Sequence, residues 1–245
     1  MAACFSTTKG VISTALHLLA ERGQVEYDAP VAAYWPRFAQ GGKESITVRH
    51  VLTHSAGLHR MRTLVDHVQR MLDWDYMVAA LERAQPAYEP GTRHGYHALT
   101  YGWLTGELIR RVSGRPVAVF VQEELARPLR LNGLLAHGAQ VGGVRLLSPR
   151  TVQQIAVVHS RGPDLVLVLP MGWRLGYHSA FTTRGTVPGA FGHFGFGGSG
   201  GWADPRRDVA LAMVCNRGSG TPIGDLRMAE LGAAVVRSPG VASPR

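Results

Sequence analysis

The chain has 245 residues, 45% of them hydrophobic and 18% charged, enough ordinary globular sequence to bury a large core. Its formal charge of +9 is spread over scattered arginines, single or paired as in Arg110-Arg111 and Arg206-Arg207, which argues against a nucleic-acid partner. Two distant cysteines, no ligand-spaced His/Cys cluster and no long apolar run argue against a disulfide framework, a metal or other cofactor, and a membrane span; with no export signal in the chain as given, a cytoplasmic location is expected.

From Lys9 to Arg22, KGVISTALHLLAER puts apolar residues at 11, 12, 15, 16, 18 and 19, which predicts a helix buried on most sides, with Gly23 as its stop. DAPVAAYWP reads as a loop and short helix, TVRHVLTHSAGL as a helix ending near Ser55 and broken by Gly57, and residues 66–84 as a further helix. After the turn-rich YEPGTRHGY, the periodic HALTYGWLTGELIRRVSG predicts a helix closed by Gly114, and PVAVFVQEELARPL another. From about Val166 the texture changes to strand and turn, beginning with LVLVLPMGWRLGYH. DPRRD is a natural reverse turn that would pair Gly200–Ala203 with Val209–Cys215, and GDLRMAELGAAVV reads as a closing helix over about 224–236. The expected architecture is α/β, a mainly antiparallel sheet flanked by helices, in one domain: helical over about 5–135, strand-rich over about 140–217, then the last helix.

Of the 26 basic residues only Lys9 and Lys43 are lysine, and Lys9 stands three residues after Ser6. Arginine does not give up its proton in a protein, whereas a buried lysine does. Positions i and i+3 share a helix face, so the Ser6 hydroxyl and Lys9 amine are predicted to meet at a helix start, where free N–H groups, that of Ser6 included, are available to hold an oxyanion. A lysine whose pKa is lowered by burial activates such a serine. Alone, S-x-x-K also fits an N-cap serine followed by a surface lysine.

GGSGG at 197–201 is a rival nucleophile pattern around Ser199, and GFGGSG overlaps it as G-x-G-x-x-G. Both lack the helix that should follow, so Ser199 is read as part of a glycine-rich strand where backbone comes close to a neighbour. Tyr96 ends the loop before a helix, and His193 in GHFGFGG is read as leading a strand.

Taken in order, FSTTKG, VRHVLTHSAGL, GYHALTYGWLTGEL, RLLSP and GHFGFGGSGGWADP resemble the serine β-lactamase-like superfamily, and most closely the class C β-lactamase-type carboxylesterases called family VIII. The resemblance runs from residue 5 to about 217 and implies the β-lactamase/transpeptidase fold with a helical lobe. It implies Ser6 as acylated nucleophile, Lys9 as its base and Tyr96 as a proton-transfer group, with the N–H groups of Ser6 and Phe196 as the oxyanion hole. It also puts His193 and Gly195 in the strand motif that is K-T-G elsewhere, and His97 beside the catalytic tyrosine.

The implied activity is hydrolysis of small, short-chain carboxylic esters through an acyl-enzyme, without cofactor. Two departures favour ester over lactam: Ala98 stands where Y-x-N has asparagine, and His193 stands where K-T-G has lysine. The alternatives are a catalytically inactive β-lactamase-fold binding or scaffold module, and a β-lactamase or D-Ala-D-Ala carboxypeptidase. Family members carry strands before S-x-x-K and a longer passage between Gly133 and Leu134, so missing N-terminal strands and a shortened pocket segment are expected.

Overall fold

A computed structural model describes residues 4–129, 145–218, 225–238 and 241. The helices are α1 (Thr7–Glu21), α2 (Val31–Tyr34), α3 (Val48–Leu52), α4 (Trp74–Arg83), α5 (Thr100–Ser113) and α6 (Val117–Val121). The last runs through a π-helical turn, Gln122–Ala126, into α7 (Arg127–Leu129), and α8 (Pro149–Ala156) precedes the sheet. The strands are β1 (Ser160–Pro163), β2 (Pro170–Trp173), β3 (His178–Thr182), β4 (Gly185–Phe194), β5 (Gly200–Asp204) and β6 (Val209–Met213), and α9 (Arg227–Arg237) follows. Each strand pairs antiparallel with its neighbour in sequence, so the sheet is a meander. The predicted fold class is found: an antiparallel sheet flanked by helices, beside a helical lobe.

Helix α1 organises the lobe. Its Ala15, Leu16 and Leu19 are buried in the largest apolar cluster, with Val51, Leu52, Leu104 and Leu108. Its polar face is buried too: Ser13 Oγ lies 2.6 Å from Tyr101 Oη, Thr14 Oγ1 lies 2.6 Å from Tyr177 Oη, and His17 bonds the Leu175 carbonyl. A helix surrounded on all sides has to satisfy its hydroxyls internally, and these partners do so. Gly176 lets the turn between β2 and β3 reach α1: a Cβ there would lie 2.1 Å from Ser13 Oγ, and its φ is +76°. On the sheet, Ala190 of β4 packs with Trp202 and Met228 in one cluster, while its chain neighbour Phe191 packs with Ile155 and Tyr177 in another, as strand alternation requires.

The structure corrects several boundaries. Residues 66–84 are not one helix: a 3-10 turn, Val68–Leu72, is followed by Asp73, whose carboxylate accepts from the Tyr76 N–H and starts α4 anew. The helix read as ending near Ser55 stops at Leu52, and the one read from His97 starts at Thr100. Strand structure begins at Ser160, before Val166, and the apolar run 165–169 lies between β1 and β2. There the Asp164 carboxylate accepts from the N–H groups of Val166 and Leu167 and turns the chain. The β5–β6 pairing predicted from DPRRD is found, with Arg207 N–H bonding Asp204 O across the turn. The final helix ends at Arg237, and the predicted shortening between Gly133 and Leu134 lies outside the described residues.

Candidate active site

Ser6 occupies the N-cap of α1 with helical backbone angles, and its hydroxyl does not cap the helix. The hydroxyl is instead 3.1 Å from Lys9 Nζ, which also donates to the Ala98 carbonyl at 2.7 Å. Lys9 is buried, and among the described residues no carboxylate pairs with it. Taken from water without a counter-charge, its ammonium is disfavoured, and burial lowers the pKa to about 8.

The Tyr96 ring lies under the amine, with Nζ 4.9 Å from the ring centre. Burial pushes the phenol up to about 12, against the pull of a hydrogen bond with Ser6. Its position is set from outside the helices. The Tyr96 N–H donates to Asp164 Oδ1 at 3.1 Å, and the next N–H, of His97, donates to His54 Nδ1 at 3.1 Å. Asp164 also accepts from Trp173 Nε1, and the His54 ring packs edge-on against both Tyr96 and Trp173.

The strand side of the site is the end of β4. His193 does not lead a strand but lies one residue before its end, because the ladder to β5 stops at Phe194 and Gly200. It is also buried rather than facing solvent, with Nδ1 bonded to Phe194 O and Nε2 lacking a partner among the described residues. Burial, with His178 and Lys9 nearby, holds its pKa well below the ordinary histidine value, so the ring is neutral at physiological pH.

Gly195 is where the sheet meets α1: a Cβ there would lie 2.5 Å from Cys4 O and 2.8 Å from Thr7 Oγ1. The Ser199 carbonyl completes the junction, accepting from Gly195 N–H at 2.7 Å and from Thr7 Oγ1 at 3.2 Å. The Phe196 ring rests against that of Phe5, 5.5 Å between centres. Among the described residues neither the Ser6 N–H nor the Phe196 N–H has a protein acceptor.

Of the residues singled out from sequence, Ser6, Lys9, Tyr96, His193, Gly195 and Phe196 are thus brought together. His97, read as a binding residue, is fully buried, and its Nε2 accepts from the Leu58 N–H. Ser199, the rival serine, is buried with its hydroxyl taken by the Cys215 N–H. His54, Asp164 and Trp173 were missed; THSAG was the one visible signal among them. Among the described residues no His/Cys/Asp/Glu group fit to hold a metal is found, and no helix is long and apolar enough to cross a membrane.

The family model for beta-lactamase matches residues 1–137 and 133–234. The chain belongs to the beta-lactamase family. It is 31% identical to the esterase/beta-lactamase LipL of Mycobacterium tuberculosis, over 87% of this chain and 68% of LipL, and 30% identical to esterase EstB of Burkholderia gladioli over 51% and 35%. Among solved structures it is similar to a family VIII carboxylesterase (28% identity, TM-score 0.87, 96% of this chain and 83% of that one). A penicillin-binding protein homologue from Caulobacter crescentus is similar too (29% identity, TM-score 0.84, 95% and 82%).

Relatives of this chain include esterases and a beta-lactamase, and membership of the family supports serine-hydrolase activity in general. The alignment with LipL runs 298 positions while using 87% of this chain, so LipL has several dozen residues without counterpart here. The two segments matched by the family model overlap over residues 133–137.

Proposed function

We propose that this beta-lactamase-family chain hydrolyses small carboxylic esters through an acyl-enzyme on Ser6. The observation that carries the reading is the Lys9 amine, buried without a carboxylate and 3.1 Å from the Ser6 hydroxyl. As the neutral amine, Lys9 keeps one N–H on the Ala98 carbonyl and takes the Ser6 proton on its lone pair.

The Ser6 oxygen then attacks the ester carbonyl, and the charge that develops on the carbonyl oxygen is met by the free N–H groups of Ser6 and Phe196. As the tetrahedral species collapses, Tyr96 gives its proton to the departing alkoxide and recovers one from Lys9, and the alcohol leaves. Water, deprotonated by the same pair, attacks the acyl-serine, and the acid departs as Ser6 regains its proton. The neutral, buried His193 favours an ester over a β-lactam, since it offers no fixed cation to a lactam's carboxylate.

The test is turnover of p-nitrophenyl acetate and nitrocefin by wild type, Ser6→Ala and Ser199→Ala. Ester turnover lost in Ser6→Ala alone, with nitrocefin untouched, supports the reading. A well-folded wild type without turnover leaves an inactive binding module, and nitrocefin cleavage a beta-lactamase.

A further inference from the structure

Among the described residues, two large apolar side chains are exposed while their backbones adopt positive φ: Phe5 (54% exposed, φ +45°) and Val168 (81% exposed, φ +56°). For a β-branched residue this conformation is a genuine outlier, and an asparagine or glycine would relieve it. Neither side chain is buried in exchange: Phe5 is half exposed against Phe196, and Val168 faces solvent with its N–H held on Asp164 O. Strain kept at an exposed position points to work done by the side chain there.

Phe5 adjoins Ser6 in the chain, and Val168 belongs to a run whose base is bonded to the loop that carries Tyr96. Phe5 precedes Ser6 and stacks on Phe196, whose N–H is the second oxyanion donor proposed above. Val168 lies in the run Leu165–Leu169 between β1 and β2, where Leu165, Val166 and Leu169 are also exposed. That run is tied to the catalytic loop at its base: Asp164 accepts from the Tyr96 N–H, and the Leu165 N–H donates to His94 O at 3.1 Å. An exposed apolar run anchored on the loop that carries Tyr96 offers a surface to an apolar part of a ligand held at Ser6. Isolated exposed residues such as Leu72 need no such account.

We infer that the Phe5–Phe196 pair and the Leu165–Leu169 tip form an apolar rim that takes the acyl chain of the ester, so that substrates with medium-length alkyl chains are preferred to acetate. This rests on the Ser6 reading and extends it beyond short-chain esters. Each methylene fully buried is worth up to about fourfold in affinity, so even partial cover of an octanoyl chain is measurable.

The test compares kcat/KM for p-nitrophenyl acetate and p-nitrophenyl octanoate, below micelle-forming concentrations, in wild type, Leu165→Ser and Val168→Asn. The octanoate-to-acetate ratio is expected to exceed about 10 in wild type and to fall at least about threefold in each variant. Val168→Asn is expected to unfold at the same or higher denaturant concentration, since it relieves the strain, which separates loss of the rim from loss of the fold.

Turnover of acetate with a flat chain-length profile overturns the rim and leaves Ser6 in place. If no ester is turned over, the Ser6 reading falls, and calorimetric titration with the unreactive ketones 2-decanone and 2-butanone decides the rim alone. Tighter binding of 2-decanone that Val168→Asn weakens upholds it, and equal binding overturns it. A wild-type dimer that Val168→Asn converts to monomer also overturns it, since the tip is then covered by a second copy.

Discussion

The indole of Trp173 lies parallel to the phenol of Tyr96, with 4° between the ring planes and 5.5 Å between centres. The same indole donates to Asp164 Oδ2, while Asp164 Oδ1 accepts from the Tyr96 N–H. Trp173 therefore fixes Tyr96 twice, through its ring face and through the carboxylate that holds its backbone. Trp173→Phe keeps a ring and deletes the donor. It should lower kcat about tenfold with little change in KM, because the phenol's aim matters most as the alkoxide leaves. Steady-state kinetics on ethyl butyrate, whose alkoxide needs a proton to leave, checks this; an effect confined to KM would contradict it.

On the proposed mechanism, Lys9 sets the pH dependence. The amine acts as base only when neutral, and its pKa near 8 means that roughly a tenth of molecules are competent at pH 7. Below pH 8, kcat/KM should climb close to tenfold per unit and then level off above it. His193 is neutral throughout this range and Tyr96 remains protonated, so neither bends the profile. A plateau already reached at pH 6, after correction for spontaneous hydrolysis, would remove Lys9 from the role.

His54 combines positive φ (+58°) with a buried ring whose Nδ1 receives the His97 N–H. Asparagine tolerates that backbone and offers a carbonyl oxygen near the place of Nδ1. His54→Asn should retain kcat within about threefold, whereas His54→Ala, lacking the acceptor, should lose at least about tenfold. Kinetics at matched folded fractions would expose equal losses, which argue for a packing role only.

Lys43, the second lysine, is fully buried and donates to the carbonyls of Gln40, Glu82 and Ala84. Lys43→Met leaves those oxygens without their donor and should cost about 2–4 kcal/mol by urea denaturation, with kcat per folded molecule unchanged.

Gly195→Ala should push the end of β4 away from α1, since its Cβ would lie within 3 Å of Cys4 O and Thr7 Oγ1. The Phe196 N–H moves with it, and kcat should fall about 100-fold while the denaturation midpoint changes less. Retained kcat would place the second oxyanion donor elsewhere.

What the sequence made legible is local. Ser6 and Lys9 sit one helical turn apart, so spacing alone put them together, and DPRRD announced the β5–β6 turn. The support of Tyr96 was illegible because its Asp164 partner is 68 positions away and sits in an undistinguished GPDL. The same carboxylate explains the misread run 165–169: LVLVL has the composition of a strand, but two of its N–H groups are captured by Asp164 before a ladder forms. His97 drew attention by its place beside Tyr96, yet the Leu58 N–H draws its ring inward. Side chains that bond backbone far off in sequence leave no periodic trace.

Helix α1 touches both α5 and β4, and with the Asp164 bond to the Tyr96 N–H these contacts bring the first turn of α1, the middle loop and the late strand together. On the proposed mechanism, a polypeptide that has closed only its helical lobe owns Ser6 and Lys9 but not the Phe196 N–H; one that has closed only its meander owns that N–H without the serine. Covalent capture of a fluorophosphonate would therefore count finished molecules, giving a direct clock for the docking of the two halves during refolding.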